Sequence, residues 1–187
     1  MSAPKLLARA FHEDPFITWA EPNPTRRAAT MERSFAGMLR FAERVGGHLY
    51  EEGLGSVHWR DGRSAHMGNW QILTSGTWRV ALVTPPEVWL RLARHEAAAM
   101  ERVTPLLGER SAYLCTLGIE PTQTGRGHGG RLLSRALAQM SERWSHCVLR
   151  TEQPKNLPFY QRAGFRLADE AVVELSGLRV WVFERTL

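Results

Sequence analysis

Ile119-Glu-Pro-Thr-Gln-Thr-Gly-Arg-Gly-His-Gly-Gly-Arg-Leu-Leu133 joins a predicted strand, Tyr113 to Ile119, to an apolar helical pattern. Gly125, Gly127, Gly129 and Gly130 carry no Cβ, so successive backbone N–H groups can turn into one concavity. The helix that follows adds unpaired amides and the positive end of its dipole. Arg126, His128 and Arg131 place further donors beside that cradle. The stretch reads as a loop for a pyrophosphate. Gly125 to Gly130 also satisfies the dinucleotide pattern G-x-G-x-x-G, with Glu152 at the distance of a ribose-binding acid. Against this, Glu120 to Thr124 separates strand from first glycine, and too little chain follows to complete two mononucleotide halves. A Walker loop would need Gly-Lys-Ser/Thr where this chain has Gly-Gly-Arg. The plainest alternative is an ordinary glycine-rich turn.

A second block decides between these readings: Leu149-Arg-Thr-Glu-Gln-Pro-Lys-Asn-Leu-Pro-Phe-Tyr-Gln-Arg-Ala-Gly-Phe165, one helix and one strand later. In order and spacing, the two blocks together resemble the GNAT acetyltransferase superfamily. Within it the resemblance is to the puromycin N-acetyltransferase-like group, through Leu117-Gly-Ile-Glu-Pro121, Asn156-Leu-Pro-Phe-Tyr-Gln-Arg-Ala-Gly-Phe165 and Arg179-Val-Trp-Val-Phe-Glu-Arg185. It is strong over residues 113–187. Upstream, Ala10-Phe-His-Glu-Asp-Pro15 and the helix after it share the layout but few identities.

The resemblance implies an α/β fold with a mixed, mostly antiparallel sheet flanked by helices, and acetyl-CoA as co-substrate. It implies cofactor contacts at Leu117, Gly118, Ile119, Thr124, Gly125, Arg126, Gly127, His128, Gly129, Gly130, Asn156 and Tyr160. It further implies direct attack of an amine on the thioester, with a backbone N–H near Thr116 or Leu117 at the carbonyl oxygen and Tyr160 as the acid for the departing thiolate. A bulge in that strand would splay it from its neighbour and free backbone groups for the pantetheine arm. Tyr160 could equally pack as an aromatic beside Phe159 and Phe165, and Asn156 could cap the short helix behind Pro158. The acceptor implied is a primary amine of a small molecule. A protein or peptide acetyltransferase, or a coenzyme A binding module without turnover, are the alternatives. The base stays open among His58, Glu120, Glu152, Asp14 and Glu21.

Two features depart from the family pattern. Thr124 stands where Gln or Arg usually opens the phosphate loop, leaving Gln123 or Arg126 to compensate. The chain opens on a helical pattern, Pro4 to Phe11 with Ser2 as candidate cap, so the expected first strand is missing: either the start lies downstream of the true one, or the sheet tolerates the loss at an edge.

The 187 residues suit one domain spanning 1–187, and 43% hydrophobic content suits a packed core. No apolar run approaches the roughly 20 residues of a membrane span, and no signal-peptide core opens the chain, so no membrane is expected and the cytoplasm is the expected compartment. The net charge of +5 suits a polyphosphate ligand, while dispersed arginines without interleaved aromatics argue against nucleic acid. Cys115 and Cys147 match no metal-ligand spacing and read as reduced strand residues; no metal is assigned.

Asn23-Pro24 reads as cap and first residue of a helix with Met31, Phe35, Met38, Leu39, Ala42 and Val45 on one face. Strands follow at His48–Glu51 and Ser56–Arg60, then an insert with one or two short helices in Gly62–Val83 and a longer helix that Pro85-Pro86 opens and that runs through Val88, Leu92 and Met100 to about Val103. After the glycine loop come helix Gly129–Trp144, strand Cys147–Thr151, short helix Leu157–Ala163 and a hairpin turning at Ser176-Gly177. Asp14 to Pro24 reads as an ordered loop whose Phe16 and Trp19 either line the acceptor site or anchor the loop. In the last strand Val180 and Val182 alternate with Trp181 and Phe183, so both faces are covered, by a homodimer partner or by helices of the same chain.

Overall fold

The structure, a computed structural model, describes residues 1–65, 78, 82 and 84–187. The chain opens with α1 (Ala3–Ala10), whose Leu6 and Leu7 are fully buried. Ser2 sits at its N-cap, but the Ser2 side chain makes no capping bond. The segment expected as a loop contains a helix, α2 (Pro15–Ala20): Asp14 Oδ1 accepts from the amides of Phe16 and Ile17 at 3.0 and 3.3 Å, and Pro15 fills the first position. Six residues are too few to show a helical period. Asn23 caps α3 (Pro24–Val45) in the same way, and Met31, Phe35, Leu39 and Ala42 form its buried stripe.

Two strands follow, β1 (Gly46–Glu51) and β2 (Gly55–Asp61), turning through Gly53 at φ +70°. Gly46 and Gly47 belong to β1 rather than merely ending the helix before it. A Cβ on Gly46 would lie 2.0 Å from the Trp59 carbonyl oxygen, and one on Gly47 2.3 Å from the Trp59 ring, so only glycine lets the strand close over this tryptophan. Of the insert, Gly62–Ser64 is a 3-10 turn and residues 78 and 82 are helical; the rest of the Gly62–Val83 reading, Trp70 included, lies outside the described residues. Then come α4 (Pro86–Val103), β3 (Ser111–Ile119), α5 (His128–Ser141), β4 (His146–Thr151), α6 (Leu157–Arg162), β5 (Arg166–Val173) and β6 (Leu178–Thr186). The helix expected to reach Trp144 stops at Ser141. Trp144 is instead buried, and its indole donates to Asp61 Oδ2 at 3.4 Å, so it pins the turn into β4.

The six strands form one mixed sheet in the order β1-β2-β3-β4-β6-β5, with β3 and β4 the parallel pair and the other pairs antiparallel. Among the described residues no strand precedes β1. One face carries α5 and α6, burying Trp59, Leu114, Leu133, Met140, Leu149 and Phe183 together. The other carries Tyr113, Val148, Val180 and Val182 against Met100 and Val103 of α4, with α1 and α3 beside them. Helices of the same chain therefore cover both faces of β6.

Candidate active site

The parallel pair does not stay paired. Its ladder runs from Ser111↔His146 to Leu114↔Leu149 and stops, while β3 continues along β2 to Ile119 and β4 along β6 to Thr151. The cause lies in β3. His58 pairs with Thr116 but its neighbour Trp59 pairs with Leu114, so Cys115 is an extra residue that bends the strand. Beyond Leu114 the sheet opens into a fork at the carboxyl ends of its two parallel strands, where α/β sheets place ligands.

Downstream of the β3 prong, Gly125 and Gly127 adopt φ +78° and +79°, in the left-handed region that glycine reaches without strain. Gly127 is the N-cap of α5, and no side chain caps the helix. The first intrahelical bond is Arg131 N–H to Gly127 O at 3.2 Å, which leaves the amides of His128, Gly129 and Gly130 pointing ahead of the helix without intrahelical acceptors. A Cβ placed on Gly125, Gly127 or Gly130 would meet nothing within 4 Å, so the concavity before the helix is open. These features fit a polyphosphate. Around it, Arg126 donates to Gln123 Oε1 at 3.3 Å and Arg131 to His128 Nδ1 at 2.6 Å. Thr124 turns back, its hydroxyl donating to Pro121 O at 3.0 Å.

Along β3, Leu117 and Ile119 pack on the α5 side. Gly118 faces the other way: a Cβ there would lie 2.7 Å from Leu7 of α1, so the missing side chain serves helix packing. On the β4 prong, Asn156 does not cap α6; its Nδ2 donates to Thr151 Oγ1 at 3.2 Å, tying the turn to the strand end. Tyr160, 8% exposed, lies among Phe159, Phe165 and Phe183 with ring centroids 5.2 to 5.9 Å away. Burial raises its hydroxyl pKa well above the usual phenol range, and the charges of Cys147, Glu152 and Asp14 push the same way.

That coupling matters because Glu152 and Asp14 reach the fork from the opposite face of the sheet. Glu152, just past β4, shares its parity with Val148 and Arg150 on the α4 side. Its Oε1 forms an ion pair with Arg150, 3.2 Å from Nε, and a hydrogen bond with His95 Nε2 at 3.4 Å. Burial opposes its ionisation, but Arg150 and then His95 outweigh it and hold the pKa below the ordinary glutamate value. Asp14 is pushed up to about 6, by burial first and by the charge of Glu152 second. His95, fully buried on α4, stacks on Phe16 with centroids 4.3 Å apart and meets Trp19 at 5.7 Å. Phe16 and Trp19 thus anchor α2 on α4, against the His95 ring whose other edge meets Glu152. Arg150 also pairs with Glu96 at 2.6 Å.

Of the other candidate bases, His58 lies behind the β3 prong, while Glu120 and Glu21 hold helices in place. His58 is buried, 3.5 Å from Thr116 Oγ1, with its pKa driven well down by burial and then by Arg60 and His48. Glu120 accepts from Arg9 at 2.6 and 3.1 Å and fastens α1 to the end of β3. Glu21 accepts from the Asn23 amide at 3.0 Å and pairs with Arg26, holding the entrance of α3. His95 and Arg150 escaped the sequence reading. The available signal was a mismatch of type and position: His95 continues the buried Val88, Ala99 and Val103 stripe of α4, and Arg150 stands on the Val148 parity of a core strand. Cys115 and Cys147 are both free thiols, no metal-binding cluster occurs among the described residues, and none of their helices is long and apolar enough to cross a membrane.

Residues 102–187 match the model of a family described as an acetyltransferase (GNAT) domain. Solved structures similar to the chain include a putative acetyltransferase from Agrobacterium tumefaciens, 22% identical with a TM-score of 0.40, over 43% of this chain and 60% of that one. Nourseothricin acetyltransferase is 20% identical with a TM-score of 0.38, over 41% of this chain and 50% of that one. Arabidopsis thaliana Naa50, solved with a bisubstrate analogue of coenzyme A, is 22% identical with a TM-score of 0.36, over 41% and 55%. The matched part spans half to three fifths of the length of these proteins.

Proposed function

We propose that this protein is an acetyl-CoA-dependent N-acetyltransferase that acetylates a primary amine of a small molecule. The observation that carries this reading is the fork between β3 and β4, which brings an uncapped glycine-rich helix start and Tyr160 from one face together with Glu152 and Asp14 from the other. Acetyl-CoA supplies an activated acetyl thioester. The amides of His128, Gly129 and Gly130 would hold its pyrophosphate, with Arg126 and Arg131 adding charge at the rim. Backbone N–H groups near Thr116 and Leu117, on the β3 edge that has left β4, would donate to the carbonyl oxygen as it gains charge. Tyr160 keeps its proton at neutral pH and is available to give it to the departing sulfur.

The packing of α2 on α4 favours a small acceptor over a polypeptide. Phe16 and Trp19 close on His95 above the carboxylates, where an extended backbone would need an open groove. Within the family we place the chain near the puromycin N-acetyltransferase-like group, on the sequence blocks at 117–121, 156–165 and 179–185, which makes aminonucleosides a first choice of acceptor. The test is thiol release from acetyl-CoA against small amines, aminonucleosides, polyamines and N-terminal peptides, with melting temperature read with and without cofactor. Release with a small amine and not with peptides is the expected result. Release with peptides alone would move the acceptor class. A cofactor-induced rise in melting temperature without any release would support a binding module.

A further inference from the structure

The proposed acetyl transfer needs a group that takes the acceptor's proton, and the carboxylate facing the fork is held in an unusual way. Glu152 Oε1 has two partners from two elements: Arg150 Nε of β4 at 3.2 Å and His95 Nε2 of α4 at 3.4 Å. His95 Nδ1 in turn lies 3.0 Å from Ser176 Oγ, in the turn between β5 and β6. Glu152, held ionised, can only accept, so His95 Nε2 carries a hydrogen, and the turn offers Nδ1 a hydroxyl partner. Val173 O already accepts the amides of Ser176 at 3.1 Å and Gly177 at 2.8 Å, so it competes poorly for the Ser176 hydroxyl 3.3 Å away. Ser176 Oγ accepts from the Leu178 amide at 3.2 Å, and its hydrogen has two acceptors, Val173 O at 3.3 Å and His95 Nδ1 at 3.0 Å, the nearer being His95. With Nδ1 accepting, Nε2 is the nitrogen that donates, and it donates to Glu152.

We propose that His95 is a positioning residue, oriented by Ser176, which aims Glu152 as the base for the acceptor amine. This rests on the transferase reading above. Glu152 takes a proton from the acceptor's ammonium, and the freed nitrogen lone pair forms a bond to the acetyl carbonyl carbon. The carbon–sulfur bond breaks with its electron pair passing to sulfur, and Tyr160 gives sulfur a proton. With Oε1 hydrogen-bonded to His95 and ion-paired with Arg150, Oε2 is the oxygen for the incoming proton. The four segments involved are 14–19, 95–96, 150–152 and 176, and α2 joins them through the Phe16 ring stacked on His95.

A purely structural role for His95 would come from its ring, packed on Phe16, and the two roles respond oppositely to two substitutions. His95→Phe keeps a ring and loses the donor; His95→Gln loses the ring and keeps an amide N–H where Nε2 stands. The expected result is a fall in kcat/KM of roughly 10²-fold for Glu152→Gln and about tenfold for His95→Phe, with His95→Gln recovering most of the loss. His95→Phe as active as wild type, or His95→Gln worse than His95→Phe, overturns the proposal. A carbon-13 titration of the Glu152 carboxyl gives a readout that needs no turnover. The charged and titratable groups facing it are Arg150 of β4, His95 and Glu96 of α4, Asp14 at the start of α2 and Tyr160 of α6. Its midpoint should rise in His95→Phe and stay near wild type in His95→Gln; a midpoint unmoved by His95→Phe overturns the positioning role. Wild-type protein that releases no thiol with any amine would instead count against the transferase reading, leaving the titration to decide the role of His95.

Discussion

The two sides of the fork are built by different means. The cradle before α5 is a single run of backbone, residues 119–131, whose amides point into open space because glycines let them. The carboxylate side is assembled from side chains of four separate segments, meeting through Glu152, His95, Arg150 and Phe16. A contiguous backbone device tolerates sequence change outside its own run, whereas an assembled side-chain device depends on the packing of every element that contributes. The contrast predicts that changes on one side leave the other side's readout intact.

Tyr160 is the place where the sides meet, and its loss should have the largest effect. Tyr160→Phe keeps the ring among Phe159, Phe165 and Phe183 and removes only the hydroxyl. We expect kcat to fall by roughly 10²–10³-fold while acetyl-CoA still raises the melting temperature as in wild type. A variant that loses the cofactor shift as well would mean that Tyr160 acts through packing. Next comes Gly127→Val, which forces a branched side chain into φ +79° at the helix cap. Affinity for coenzyme A, measured calorimetrically, should weaken about tenfold or more, the cost of the strain alone being of order 1–2 kcal/mol. The midpoint of the Glu152 carboxyl should not move; a shift there would break the independence of the two sides.

The smallest effect concerns Asp14. Its folded-state pKa of about 6 lies above the ordinary 3.8, so the folded protein binds the extra proton between those values. Stability from this group is full below about pH 4 and is lost as pH rises through about 6. Asp14→Asn keeps a capping oxygen for the Phe16 and Ile17 amides and removes the buried charge. It should raise stability by about 1 to 3 kcal/mol at pH 7, with the gain fading toward pH 4. An equal gain at both pH values would assign the effect to the cap instead.

The same contrast explains what could be seen in the sequence. The glycine run, the strand before it and the Asn156 to Phe165 block are local patterns, and the fold follows from their order. The α2 helix stayed hidden because its six residues are defined by one cap and one proline rather than by a period. Trp144 looked like the end of α5 because its spacing suits the buried face, whereas its indole is held by Asp61, 83 residues away in sequence. Glu152 was visible as one acid among several, and nothing near it in the chain marks it as the carboxylate that Arg150 and His95 hold. Its partner His95 lies in the insert helix, 57 residues upstream, inside an apolar stripe where a histidine usually reads as a packed core residue.

Mass spectrometry of an amine pool incubated with isotope-labelled acetyl-CoA tests the central claim most directly. The account predicts that one labelled acetyl group appears on the nitrogen of a small primary amine, in step with thiol release and lost in Tyr160→Phe. Thiol released at the same rate with no amine present, and no labelled product, would contradict it.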